Sequence, residues 1–152
     1  MSFKLPKESD EYFGPASKEG SPLRLKWNTY YFCFLAGLAL DKPRANSNNP
    51  EIIRDWPDAI RPHKDIYIGM LIKSQLRNLE KFKKNKKLMK EKIDSIVDSS
   101  GTHLTKEGHA LMNDYAHSGF FWLKENVSPN EYEIFLPTLY KALGKLLDKH
   151  QI

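Results

Sequence analysis

Tyr30 to Leu40 (YYFCFLAGLAL) is the longest apolar run in the chain, 11 residues without a charged or amide side chain. A segment that is apolar all round belongs in the middle of a core. Tyr30, Tyr31, Phe32 and Phe34 leave a buried strand open, but Ala36, Gly37, Leu38, Ala39 and Leu40 favour a helix, predicted over Trp27 to Leu40 with Asn28 or Thr29 as its cap. The small residues Ala36, Gly37 and Ala39 would let another helix approach closely.

A second helix is predicted from Asp65 to about Leu79, where Ile66, Met70, Ile72 (or Leu71), Leu76 and Leu79 keep a helical spacing. Leu88, Ile93, Ile96 and Val97 predict a third, ending near Ser99-Ser100-Gly101. The fourth runs from about Thr105 to Asn126, with Leu104, Leu111, Tyr115, Phe120 (or Gly119), Trp122 and Leu123 as core candidates. Ser128-Pro129-Asn130-Glu131 has the form of a capping box with proline at the first helical position, so a last helix should follow it. Pro137 should kink or split that helix, beyond which Leu139, Tyr140, Leu143, Leu146 and Leu147 form an amphipathic stripe.

Two stretches lack this periodicity. Residues 1–22 carry Pro6, Gly14, Pro15, Gly20 and Pro22 among charges and read as a mobile N-terminal arm, ordered only if it docks; Tyr12 and Phe13 are the candidate docking residues. Residues 41–62 are punctuated by four prolines and read as loop, with one short helix from Pro50 to Asp55 capped by Asn49. The expected fold is therefore all-α, a single helical domain of about five helices over residues 23–152 with a mobile arm before it.

Composition adds one strong feature. Of 152 residues, 24 are basic and 19 acidic, a net charge of +5, and the segment Glu80 to Lys92 (EKFKKNKKLMKEK) alone holds seven lysines and two glutamates. All of the excess charge sits there, and the other 139 residues balance. Confined positive charge attracts phosphate backbones or an acidic partner over about 10 Å in physiological salt. Lys83, Lys84, Lys86, Lys87 and Lys90 are the candidate nucleic-acid-binding residues, with Lys83, Lys87 and Lys90 along one helix face and Lys86 beside it. The competing reading is a solvated face that keeps the protein soluble. Arginine is scarce near the run, so backbone contact or a protein partner is expected rather than base readout.

Catalytic signatures do not emerge. The sequence holds no G-x-S-x-G, P-loop, G-x-G-x-x-G or H-E-x-x-H pattern, and the expectation is a protein that is not an enzyme and takes no cofactor or metal. His109, Asn113 and His117 share a helix face, but the two histidines stand two turns apart, about 12 Å, too far for one ion. Asp114 and His117, three apart, can pair. Cys33, the single cysteine, excludes an intramolecular disulfide and is expected buried and inert. Gly69 and Gly119 are expected at close helix contacts and Gly108 at a cap. The N-terminus lacks the apolar stretch of a secretory signal, and no run approaches the roughly 20 residues of a membrane span, so a cytoplasmic setting is expected.

Three segments, LKWNTYYFCFLAGLALDKPRA (Leu25 to Ala45), DIYIGMLI (Asp65 to Ile72) and EGHALMNDYAHSGFFWLKE (Glu107 to Glu125), occur in the order found in small proteins of prokaryotic DNA-phosphorothioation (Dnd) and antiphage gene clusters, which this chain resembles. An acidic–Tyr–Ala–x–x–Gly pattern of those proteins matches Asp114-Tyr115-Ala116-His117-Ser118-Gly119. The small helical DndE family is similar to a lesser degree. The resemblance implies a non-catalytic accessory subunit of a defence complex, associating with DNA or with a larger ATPase or nuclease. The lysine-rich segment is longer than that pattern, and its role does not transfer. The alternative is a purely protein-binding helical adaptor.

Overall fold

The computed structural model describes residues 2–45, 48–77 and 79–150. Its elements in chain order are β1 (Phe3–Lys4), α1 (Ser9–Phe13), α2 (Lys26–Leu40), β2 (Glu51–Ile53), α3 (Lys64–Gln75), α4 (Leu79–Lys83), α5 (Lys86–Ile96), α6 (Lys106–Asn126) and α7 (Tyr132–His150), with short 3-10 turns at Gly14–Ala16, Pro22–Arg24 and Arg61–His63. The fold is mostly helical as expected. Seven helices rather than five appear among the described residues, because α1 lies in the segment expected as an arm and the lysine segment forms two helices.

The centre is the crossing of α2 and α6, which run in opposite directions. A Cβ on Gly119 would stand 1.7 Å from the Cys33 carbonyl oxygen, and one on Gly37 would stand 1.9 Å from that of Tyr115. Only glycine permits backbones this close. Tyr30, Cys33, Phe34, Ala36, Met112, Tyr115, Ala116, Phe120 and Leu123 are fully or almost fully buried around the crossing. The expected close approach at Gly37 and Gly119 is therefore present. Gly69 differs, since nothing lies within 4 Å of where its Cβ would be. Gly108 does both jobs: its N–H donates to the Thr105 Oγ1 cap (3.0 Å), and its bare Cα lies under the Ile96 carbonyl.

The N-terminal segment departs most from expectation. Residues 2–24 are packed onto the helices. Phe3 is fully buried within an aromatic box of Trp27, Tyr30, Trp56 and His109, at centroid distances of 4.9–5.3 Å. Tyr12 and Phe13 do dock: both are buried, and the Tyr12 hydroxyl is shared between the carbonyls of Val127 (2.6 Å) and Leu123 (3.1 Å) at the end of α6. β1 pairs antiparallel with β2, Phe3 opposite Ile53 and Lys4 opposite Glu51 across an irregular step. The helix expected from Pro50 to Asp55 is thus a strand. Its backbone groups satisfy those of β1, a partner about fifty residues away that no local pattern reveals.

Helix ends also shift. α2 starts at Lys26 with no side-chain cap, and Asn28 Nδ2 instead donates to the Pro22 carbonyl (2.7 Å). At its other end Asp41 adopts a left-handed conformation (φ 56°) that turns its N–H back onto the Gly37 and Leu38 carbonyls. α7 begins at Tyr132, just past the expected box and three residues later than the Pro129 start it implied. Asn130 Oδ1 accepts from the Glu131 N–H (2.8 Å), and the Glu131 carbonyl receives the first helical N–H groups. Pro137 neither splits nor ends α7, which continues to His150, and Thr138 Oγ1 donates to the Ile134 carbonyl one turn back (2.8 Å). Of the α7 stripe, Leu139, Leu143 and Leu146 are buried while Tyr140 and Leu147 are exposed.

Candidate nucleic-acid interface

The lysine segment folds as two short helices because Asn85 interrupts it. Asn85 is extended (φ −138°), and its side chain accepts from the Leu88 N–H (3.0 Å), ending α4 and capping α5. Phe82 is buried and anchors α4, while Ile96 is buried at the end of α5. The two helices border a shallow depression of about 470 Å³, lined by the apolar Phe82, Met89 and Ile93 and by the charged Lys83, Lys86, Lys90 and Asp94.

All five candidate lysines are exposed. The structure brings Lys83, Lys86 and Lys90 together around the depression, while Lys84 and Lys87 stand outside it. The helix-face grouping of Lys83, Lys87 and Lys90 is therefore corrected: the break at Asn85 resets the phase, and Lys86 takes the place expected for Lys87. Lys90 pairs with Asp94 (2.6 Å), and that hydrogen bond raises its pKa above the ordinary lysine value. Lys83, Lys84, Lys86 and Lys87 have no carboxylate within ion-pair distance among the described residues.

A second basic surface was not read from the sequence. On α7, Lys141, Lys145 and Lys149 follow each other at four-residue steps, about 6 Å per step along the axis. With Trp122 and Asn126 of α6, and Thr138, Ala142 and Leu146, they line a groove of about 450 Å³. None of the three lysines makes an ion pair among the described residues. Local charge balance hides them, because Glu133 and Asp148 share the helix. The i, i+4, i+8 spacing beside a tryptophan was the available signal.

The histidines do not converge. His103 lies at the surface beside Asp98 (3.5 Å). His109 is buried against Phe3, with its Nδ1 unpartnered, and burial holds its pKa below the ordinary value. His117 Nδ1 accepts from Asn49 Nδ2 (2.7 Å), which leaves the ring proton on Nε2, and burial lowers its pKa as well. Asn113, between them, is a backbone clamp. Its Oδ1 accepts from the Lys4 N–H (3.0 Å) and the Tyr30 hydroxyl (2.8 Å), and its Nδ2 donates to the Ser2 carbonyl (3.0 Å). The His109/Asn113/His117 face thus takes up β1 and the loop at Asn49. Among the described residues no group of three or more His, Cys, Asp or Glu is disposed to hold a metal ion. Burial pushes the Cys33 thiol pKa well up, keeping it protonated.

No protein-family model, curated protein or solved structure matches this chain. The residues behind the sequence resemblance do have a physical role here. Leu25 to Ala45 and Glu107 to Glu125 are essentially α2 and α6, and within Asp114–Gly119 both Tyr115 and Gly119 sit at the crossing. Among the described residues no helix is long and apolar enough to cross a membrane.

Proposed function

We propose that this chain is a non-catalytic accessory subunit that contacts the phosphate backbone of nucleic acid through Lys83, Lys84, Lys86, Lys87 and Lys90. One observation carries the reading: four of these five lysines are exposed and have no carboxylate within ion-pair distance among the described residues, in the one segment that holds the chain's whole excess charge. Unpaired lysines that neutralise phosphates release the cations condensed on the nucleic acid, which yields affinity without sequence preference. The stripe Lys141, Lys145 and Lys149 extends the same chemistry to a second surface. The resemblance to accessory proteins of Dnd and antiphage gene clusters supports setting this binding in a cytoplasmic defence assembly with a larger ATPase or nuclease.

The test is duplex DNA binding across a salt series. Changing the five lysines of the 83–90 segment to glutamine should flatten the slope of log affinity against log salt by about 3 to 5 units while the helical spectrum is kept. A folded quintuple variant with an unchanged slope overturns the assignment. A second reading has its own support in the apolar floor of the depression, Phe82, Met89 and Ile93, which suits an acidic protein segment better than a phosphate backbone. Absence of duplex binding at about 50 mM salt, where non-specific electrostatic binding is strong, would favour that protein-binding adaptor.

A further inference from the structure

Three helices contribute buried and partly exposed apolar side chains to one groove. On α2, Tyr31, Leu35 and Leu38 follow each other at helical spacing; on α3, Ile66 and Met70; on α7, Tyr140, Leu143 and Leu147. Between them runs a groove of about 370 Å³ lined by Leu35, Leu38, Ala39, Met70, Leu143 and Leu147. On α2 and α3, Tyr31 and Tyr67 meet edge to face (5.5 Å). Leu147, which lines the groove, is 48% exposed, and Ile66 on α3 and Tyr140 on α7 are 56% and 59% exposed, three of the five large hydrophobic side chains exposed among the described residues. Apolar patches of this kind on a folded chain mark interaction sites.

Two further observations bear on what covers it. Gly69 on α3 and Gly144 on α7 lie at the solvent-side borders of this face, and neither has any neighbour within 4 Å of a built Cβ. A glycine inside a helix costs about 1 kcal/mol relative to alanine, and within this chain neither close packing nor a turn offsets that. Bare backbone at the border admits close approach from outside. The charged lining residues of the groove among the described residues are both cations, Lys73 and Arg77. Arg77 is engaged by Asp41 (3.5 Å) and by the Leu38 carbonyl (2.7 Å), whereas Lys73 makes no ion pair among the described residues.

We infer that this face docks an amphipathic helix of a partner protein, apolar along one side and carrying carboxylates on the flank that meets Lys73 and Arg77. Helix-in-groove recognition uses anchors at i, i+3 or i+4, and i+7, the spacing that a three-helix groove of this width receives. A second copy of this chain is the poorer occupant, because it would bring the same two cations to the contact. The surface is separate from the lysines assigned to nucleic acid and does not depend on that assignment.

The test uses the full chain and two designed helical peptides with one leucine stripe in common, one flanked by glutamates and the other by lysines. Binding is followed by methyl NMR of Met70, Leu35 and Leu147. The acidic peptide should bind and shift these resonances, and the basic one should bind at least about tenfold more weakly, a difference of 1.4 kcal/mol. Leu147→Glu and Lys73→Glu, at exposed positions, should each weaken the acidic peptide by about tenfold or more and leave the salt-dependent duplex binding unchanged. Equal binding of the two peptides, failure of the acidic one to bind, or shifts elsewhere in the molecule would overturn the inference. So would a dimer in sedimentation at micromolar concentration that Leu147→Glu dissociates, since the occupant would then be a second copy.

Discussion

Single atoms decide much of this fold, and the α2–α6 crossing shows it best. Gly119→Ala places a methyl group within 1.7 Å of a backbone oxygen that cannot turn aside, so it should destabilise by about 3 kcal/mol or more. Gly144→Ala, where the added methyl meets nothing, should stabilise by about 0.5–1 kcal/mol. Urea unfolding of the two variants reads both numbers, and comparable effects would refute the packing account. His109 sets a dependence on pH. Its pKa is lowered by burial, so the unfolded chain binds more protons below the ordinary value of 6.5 than the folded one. Stability should be full above that value and fall as pH drops from about 7 to 5.5, before most carboxylates titrate. His117 adds to the same slope. His109→Leu should reduce the dependence of the urea midpoint on pH in that window; an unaltered slope would remove His109 from the account.

Elements show where the sequence was legible. α2 and α6 carry their evidence locally, one as an unbroken apolar run and the other as a long periodic one, and both were expected within a residue of their observed ends. β1 and β2 hold two and three residues, and each exists only because the other is there. Asn113 was equally hidden, because a polar residue on a helix reads as solvated until the backbone it clamps is known. For the candidate site, the exposed lysines were legible from charge alone, but their grouping was not, because one asparagine resets the helical phase. The α7 lysines were lost in a balanced count. The segment expected as a mobile arm supplies part of the core instead, and Phe3→Ala should cost about 3–5 kcal/mol, as for other buried phenylalanines. A loss under about 1 kcal/mol, read by urea unfolding, would restore the arm.

At the scale of the whole molecule, the core is one contiguous cluster running from Phe3 through the α2–α6 crossing to Leu143. One cluster predicts one transition. Trp27 and Trp56 report on the N-terminal box, Trp122 on the groove beside α7, and far-ultraviolet circular dichroism on the helices. Their urea curves should coincide, as for a two-state domain of this size. Separate midpoints would mean that the N-terminal segment or α7 unfolds by itself. The surfaces proposed for contact lie on this unit: lysines on α4, α5 and α7, and an apolar groove across α2, α3 and α7.

The Tyr12 hydroxyl on the last carbonyls of α6 joins residues 111 and 115 positions apart, and the Asn113 clamp on β1 spans 109 and 111. During synthesis the first segment therefore emerges long before its partners exist. At bacterial or eukaryotic elongation rates of about 5–20 residues per second, Phe3, Tyr12 and Phe13 wait on the order of ten seconds before α6 is complete. Throughout that interval they are exposed aromatic groups on a nascent chain, available to a chaperone or to a neighbouring polypeptide. The core closes only when residues 3–13 pack onto α6, so the yield in a cell should depend on what shelters Phe3, Tyr12 and Phe13 during translation.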